Sequence, residues 1–404
     1  MMRPAFPFVP GKVLLRVLFL FLWMPLPSAL ALDRIGLSLE SLAAEWGTGG
    51  AVELHLDLGG EGRPLGVTLD MQALKLLVLP RVLGDALDLK LVCSDGRLEG
   101  AWFRCERLSV QSHPPLPLLS GRVFSLELNL VSAAIRLRGQ DLALAGGKVA
   151  MDLDWADGHW RLALTGKGLN APQVLAVLQA VGMPAMGYGL SAGRMDLQWT
   201  ASSSQGADLQ VRMHLSHEAL AFSDAQGLRA GEGLKGQVRI TARNARGRWM
   251  GEVRQSLSAG QVYVEPVLVD ADTAALEWKA VFDGDKDRLA LRNLVMNQGD
   301  FMRIAGSLSW DSGAVTANVD ALNLRFPGAF STWVQPWLLE SGLDELETEG
   351  DVQVALRYGS QGLEALRTQF QNVYVEDAQG RFALYNLDGN LAWDLRERTQ
   401  SRLQ

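Results

Sequence analysis

Four groups of residues in this 404-residue chain have types and spacings that could support chemistry. Gly189-Leu190-Ser191-Ala192-Gly193 spells the G-x-S-x-G of a hydrolase nucleophile elbow, which needs a strand before the serine and a helix after it. The residues that follow, Arg194 to Thr200, alternate as a strand does and no parallel βαβ pattern surrounds them, so the motif reads as a turn. His214 and His217, beside Glu218, invite a metal, but on a strand two residues three apart face opposite sides and no third ligand is near. Asp283-Gly284-Asp285-Lys286-Asp287 imitates the start of a calcium loop. Its sixth position is Arg288 where glycine is needed and its twelfth is Leu294 where a bidentate glutamate is needed, so it reads as an acidic hairpin turn.

Cys93 and Cys105 are the only cysteines, too few ligands for a zinc site without a nearby histidine pair. They flank the turn signals Ser94-Asp95-Gly96 and Glu99-Gly100, which in an exported protein predicts a local disulfide between neighbouring strands; two reduced, half-buried thiols are the other reading. The sequence thus predicts no enzyme, no metal and no cofactor. A net charge of −7 without a basic cluster argues against a nucleic-acid partner, since phosphate binding needs concentrated Lys and Arg.

The elements that would position any site come from a stretch present twice. Leu220 to Ile240 and Val373 to Trp393 align without a gap at 373 − 220 = 153. Asp224-Ala225-Gln226-Gly227 falls on Asp377-Ala378-Gln379-Gly380, Leu234 on Leu387 and Gly236 on Gly389. Each copy predicts a strand, a polar turn, a second strand, a glycine break and a third strand, a β-meander. A second equivalence, at 310 − 155 = 155, relates Trp155-Ala156-Asp157-Gly158 to Trp310-Asp311-Ser312-Gly313 and Leu169 with Pro172 to Leu324 with Pro327. Asn170 caps a predicted helix over 171–181, with Pro172 in its first turn and Gly182 past its end, and Pro327 leads into a second over 328–340.

The predicted fold is therefore mainly β: a long, curved antiparallel sheet of repeated meanders with one short helix per unit. The expected divisions are 1–31, 32–140 as an N-terminal β region, 141–295 as one repeat unit and 296–404 as a second, truncated one. Lys12 and Arg16, the apolar run Val17 to Met24 and the small-residue site Ala29-Leu30-Ala31 predict a secretory signal peptide cut after Ala31, an uncleaved anchor being the other reading. Either way the chain is expected outside the cytoplasm. Each alternating strand, such as Ala51 to Leu58, has one apolar face that must meet another sheet, a helix or a greasy ligand.

Phe222 to Val238, its echo Glu376 to Leu391, and Pro336-Trp337-Leu338-Leu339 before the strand Gly350 to Tyr358 resemble the AsmA-like superfamily of Gram-negative envelope proteins, over roughly 141–393. The resemblance implies a curved sheet enclosing an apolar groove, used in the periplasm for transport of phospholipid or another acyl-chain lipid or for outer-membrane assembly, with the inner membrane, the outer membrane or both, and envelope proteins, as expected partners. On that reading Phe222, Val238 and Ile240 in the first copy and Val375, Leu391 and Trp393 in the second line the groove. The reading from another class is a scaffolding module in which the apolar faces pack on each other as sandwiches.

Overall fold

The computed structural model describes residues 33–44, 47–58, 64–76, 87–113, 121–180, 187–203, 208–339, 341, 343, 345–396 and 399–403. The segment 1–31, expected as a signal peptide or anchor, lies outside them. Strand makes up 76% of the structure and helix 6%, so helices can only cap this fold and never form a layer of it. As expected, it is mainly β, antiparallel and open, not closed into a barrel.

Two compact units divide the chain: Met1–Met186 with Thr200–Gly206, and Gly187–Trp199 with Ala207–Gln404. The first contains β1 (Arg34–Leu39), β2 (Leu42–Ala44), β3 (Gly47–Gly49), β4 (Val52–Asp57), β5 (Leu65–Leu76), β6 (Leu87–Glu99), β7 (Trp102–His113), β8 (Arg122–Asn129), β9 (Ile135–Leu144), β10 (Gly147–Ala156), β11 (His159–Asn170) and α1 (Ala171–Ala180). β12 (Tyr188–Ser203) has residues in both units. The second continues with β13 (Leu209–Asp224), β14 (Arg229–Ala245), β15 (Arg248–Val264), β16 (Val267–Asp270), β17 (Leu276–Gly284), β18 (Arg288–Gln298), β19 (Met302–Asp311), β20 (Ala314–Phe326), β21 (Leu346–Gly359), β22 (Gly362–Asp377), β23 (Ala383–Asp394) and β24 (Arg402–Leu403). The positions 140 and 295, expected as boundaries, fall inside β9 and β18, the first at a bulge in the pairing with β10 and the second at Val295, which pairs with Lys279.

In the first unit the cross-strand partners Leu37, Leu54, Leu69, Leu91 and Val110 form an apolar row over five strands. The reverse face carries charges in register, with Glu127 3.5 Å from Arg104 and 3.4 Å from Arg136, and Arg136 3.9 Å from Asp154. Such exposed pairs add little stability each but favour this register over a slipped one. α1 begins as its sequence requires, the Asn170 side chain accepting the Gln173 N–H at 3.1 Å.

The duplication is structural as well as sequential. In β13 and β14 the partners are His217 with Gly236, Leu220 with Leu234 and Phe222 with Gly231. In β22 and β23 they are Phe370 with Gly389, Val373 with Leu387 and Val375 with Leu384, each 153 residues on. Both pairs carry bulges at the same places, each with a left-handed residue, Ala219 at φ 50° and Asn372 at φ 49°. The D-A-Q-G turns are likewise equivalent: Asp224 accepts the Leu228 N–H at 2.9 Å and Asp377 the Arg381 N–H at 3.0 Å. The aspartate is thus a turn-closing acceptor. The second equivalence also holds, Asp157-Gly158 and Ser312-Gly313 both closing hairpins with positive φ at both positions.

Two local expectations are corrected. The glycine in each copy does not break the chain into a third strand: Gly236 lies within β14 and Gly389 within β23. A side chain at Gly236 would collide with the Ser256 carbonyl oxygen of the next strand, so the glycine permits close approach within a continuous ladder. The helix expected over 328–340 is instead a π turn, Phe330–Val334, followed by a 3-10 turn, Gln335–Trp337. Pro336 has no N–H for an α ladder, and the path around it changes pitch.

Candidate functional site

The residues with chemical potential are dispersed. Ser191 lies inside β12, so the G-x-S-x-G motif is neither an elbow nor the expected turn. His214 pairs with Arg239 and His217 with Gly236, on opposite faces of β13. The buried His217 ring hydrogen-bonds the Leu234 carbonyl oxygen at 3.2 Å, and its pKa is lowered chiefly by that burial. Asp285 closes the β17–β18 hairpin, accepting the Asp287 N–H at 2.9 Å, while Asp283, at the end of β17, receives Arg248 Nε of β15 at 2.5 Å. Cys93 and Cys105 form the expected disulfide, with Cα atoms 6.1 Å apart, and both are buried. Asp95 lies against the two sulfurs and receives Arg107 Nε at 3.1 Å. It is the one grouping of metal-type ligands among the described residues, and the bridged sulfurs take it out of metal chemistry.

What the second unit does assemble is a face. Following direct cross-strand partners from β15 to β22 gives Leu257, Leu276, Gln298, Met302, Leu324, Val352 and Phe370. Two residues along each strand, a parallel row runs from Val238 through Gln255, Trp278, Met296, Ile304, Leu322, Val354 and Thr368 to Leu391, apolar but for Thr368 and for Gln255, whose side-chain oxygen accepts the Trp278 indole N–H at 3.0 Å. At the hairpin end a third row holds Trp249, Leu289, Trp310 and Val315. The alternate residues make the reverse face polar, as in Glu277, Asn297, Arg303, Asn323, Gln353, Gln369 and Asn390. From β13 to β23 the apolar face spans ten strands, about 43 Å at ~4.8 Å per interval.

Burial across this face is graded. Met302 is 2% exposed, whereas Leu308, six residues on in the same strand, is 36% exposed and Trp310 40%. That strand length is about 20 Å at ~3.3 Å per residue, comparable with one leaflet of a hydrocarbon core that is ~30 Å thick. The buried end is closed by the segment after β20: Ala329, Trp333 and Val334 pack on Met302, Leu324, Val352 and Val373. The ring of Phe330 meets that of Phe326 edge-on at 5.6 Å. A sandwich partner would have buried the whole face, and only its lower rows are covered.

All six expected lining residues fall on this side of the sheet. Val238 and Leu391 belong to the second row, Ile240 and Trp393 lie two residues further along the same strands, opposite Val253 and Leu366, and Phe222 and Val375 pack into the clusters at the buried end. Val238 and Leu391 occupy one row eight strand steps apart, about 38 Å at ~4.8 Å per step, so the two copies bracket the face without meeting. Sequence reasoning missed Gln298, 1% exposed within the apolar row, whose side-chain oxygen accepts the Trp333 indole N–H at 2.7 Å. A polar residue among apolar partners was the available signal.

Next to this face, Arg381 holds the buried Asp377 carboxyl down at about 2 through its guanidinium and its own N–H. A depressed carboxylate contributes stability above its ordinary value of 3.8 and loses it as pH falls toward 2. Asp377→Asn is therefore expected to lower the melting temperature at neutral pH, with the gap to the unaltered protein closing between pH 4 and 2. A gap that stays constant over this range would refute the assignment.

Among known proteins, no family model, no curated sequence and no solved structure matches the chain.

Proposed function

We propose that this protein binds phospholipid by its acyl chains on the apolar face of the second unit, and that it acts in the periplasm in AsmA-like lipid transport or outer-membrane biogenesis. The observation that carries the reading is the graded face: rows of leucine, valine and tryptophan, sealed at one end and open at the other. Roughly ten methylenes laid on it would contribute on the order of 8 kcal/mol, enough to offset much of the cost of ordering the lipid. The AsmA-like likeness of the sequence and the disulfide, a bond that persists in oxidising compartments, support the location. Among the described residues no helix is long and apolar enough to cross a membrane. The role proposed is binding and conduction: Ser191 lies inside β12, and His214 and His217 lie on opposite faces of β13.

The test is mass spectrometry of lipid extracted from protein purified in mild detergent. Stoichiometric phospholipid is the expected result. A well-folded, lipid-free protein would sink the proposal and leave the scaffolding role, with the open face as its docking surface.

A further inference from the structure

The geometry points to Trp333 as the residue that sets how long an acyl chain the face accepts, an inference that rests on the lipid-binding reading. Gln298 sits in a row otherwise made of Leu257, Leu276, Met302, Leu324, Val352 and Phe370, and burying an amide there is unfavourable unless it is hydrogen-bonded. Its partner is Trp333, whose Nε1–H donates to Gln298 Oε1 at 2.7 Å. A leucine at 298 would fill the row without a polar cost, so what the pair adds is position: it fixes the indole against the sheet in one orientation.

That orientation places a large flat side chain at the lower limit of the open surface. Trp333 packs against the buried cluster of Met302, Leu324, Ala329, Val352 and Val373, and the half-buried Met296, Ile304, Leu322 and Val354 of the row above join the same cluster. A chain entering from the exposed Trp310 end and following the strands meets these residues and then the indole. The floor is built from a π turn and a 3-10 turn, and the hydrogen bond ties it directly to the sheet. A terminal methyl that reaches the indole cannot pass, and each methylene beyond that point stays in water.

The experiment incubates the full chain with an equimolar mixture of saturated phosphatidylcholines from myristoyl to arachidoyl in mild detergent, then reads the bound species by mass spectrometry. Trp333→Ala removes the stop and is expected to raise the bound ratio of stearoyl to palmitoyl chains about tenfold, the worth of two newly buried methylenes. The double variant Trp333→Phe with Gln298→Leu removes the hydrogen bond from both sides but keeps most of the bulk, and its chain-length profile is expected to match the unaltered protein. Trp333→Leu, smaller than tryptophan and apolar, gives an intermediate shift and replaces the alanine variant should that one fail to fold. The inference is overturned if the alanine or leucine variant folds and binds lipid with an unchanged profile, or if the double variant shifts as far as alanine does. Unaltered protein that takes up no phosphatidylcholine at all would instead overturn the lipid-binding reading beneath it.

Discussion

Replacing Leu308 and Leu391 together by glutamate is expected to abolish phospholipid retention while the protein stays folded. Both side chains lie on the apolar face, in β19 and β23, and both are more than a third exposed, at 36% and 38%. Water therefore solvates the new carboxylates in the empty protein, and stability changes little. Once acyl chains cover the face, each carboxylate loses that water without a partner, at a cost of ~2 kcal/mol or more, so occupancy should fall by at least about a hundredfold. The control is Gln353→Glu with Gln369→Glu, on neighbouring strands of the reverse face, which should leave lipid content unchanged. Equal loss in both pairs of variants, or retention in the first, would contradict the assignment of the face.

The second large effect concerns the first unit. Cys93→Ser with Cys105→Ser opens a link across a sequence separation of 12, which the loop-entropy model values at about 3 kcal/mol. Both sulfurs are buried, so the serine hydroxyls also enter apolar surroundings, near Leu108 and Phe124. Calorimetry should show the transition of the first unit moving down by several degrees while that of the second stays in place. Reductant should lower the same transition in the unaltered protein and leave the variant unmoved. If neither the substitutions nor reductant shift any transition, the bridge contributes nothing to stability.

The polarity gradient also bears on how the sheet avoids aggregating. Its exposed apolar rows stand back to back with a face of amides and charges, and hairpin ends carry ion pairs such as Arg248 with Asp283 at 2.5 Å and Arg288 with Asp311 at 3.1 Å. The second pair is exposed on both sides and contributes little stability, while in the first the Asp283 side chain is largely covered. Their effect is on solubility, because they keep the ends of the strands hydrated beside Trp249 and Trp310.

Strand positions, turn chemistry and the duplication were legible in the sequence because each is a local property. Alternation of apolar and polar residues places a side chain on one face or the other, and D-A-Q-G is a closed set of turn contacts within five residues. The repeated glycines, Gly236 and Gly389, were read as strand breaks, because only the folded sheet shows the neighbouring backbone that comes close to each of them within a continuous strand. The disulfide was legible for the same reason, two cysteines beside one turn. The helix after Pro327 was read with the wrong pitch: its apolar spacing suits an α-helix, while the missing N–H of Pro336 and contacts with distant strands decide otherwise.

What the sequence by itself determined is which residues of an alternating strand share a side. Only the tertiary structure decided how much of each such side is covered and how much is left exposed. Register across ten strands turns separate alternations into continuous rows, and register depends on pairings between residues far apart in the chain. The same holds for the closed end, where Trp333 finds Gln298 across 35 residues. Period-two patterning is identical for a face buried in a sandwich and a face left open, because it records only that water and oil lie on opposite sides, never how much of either is there.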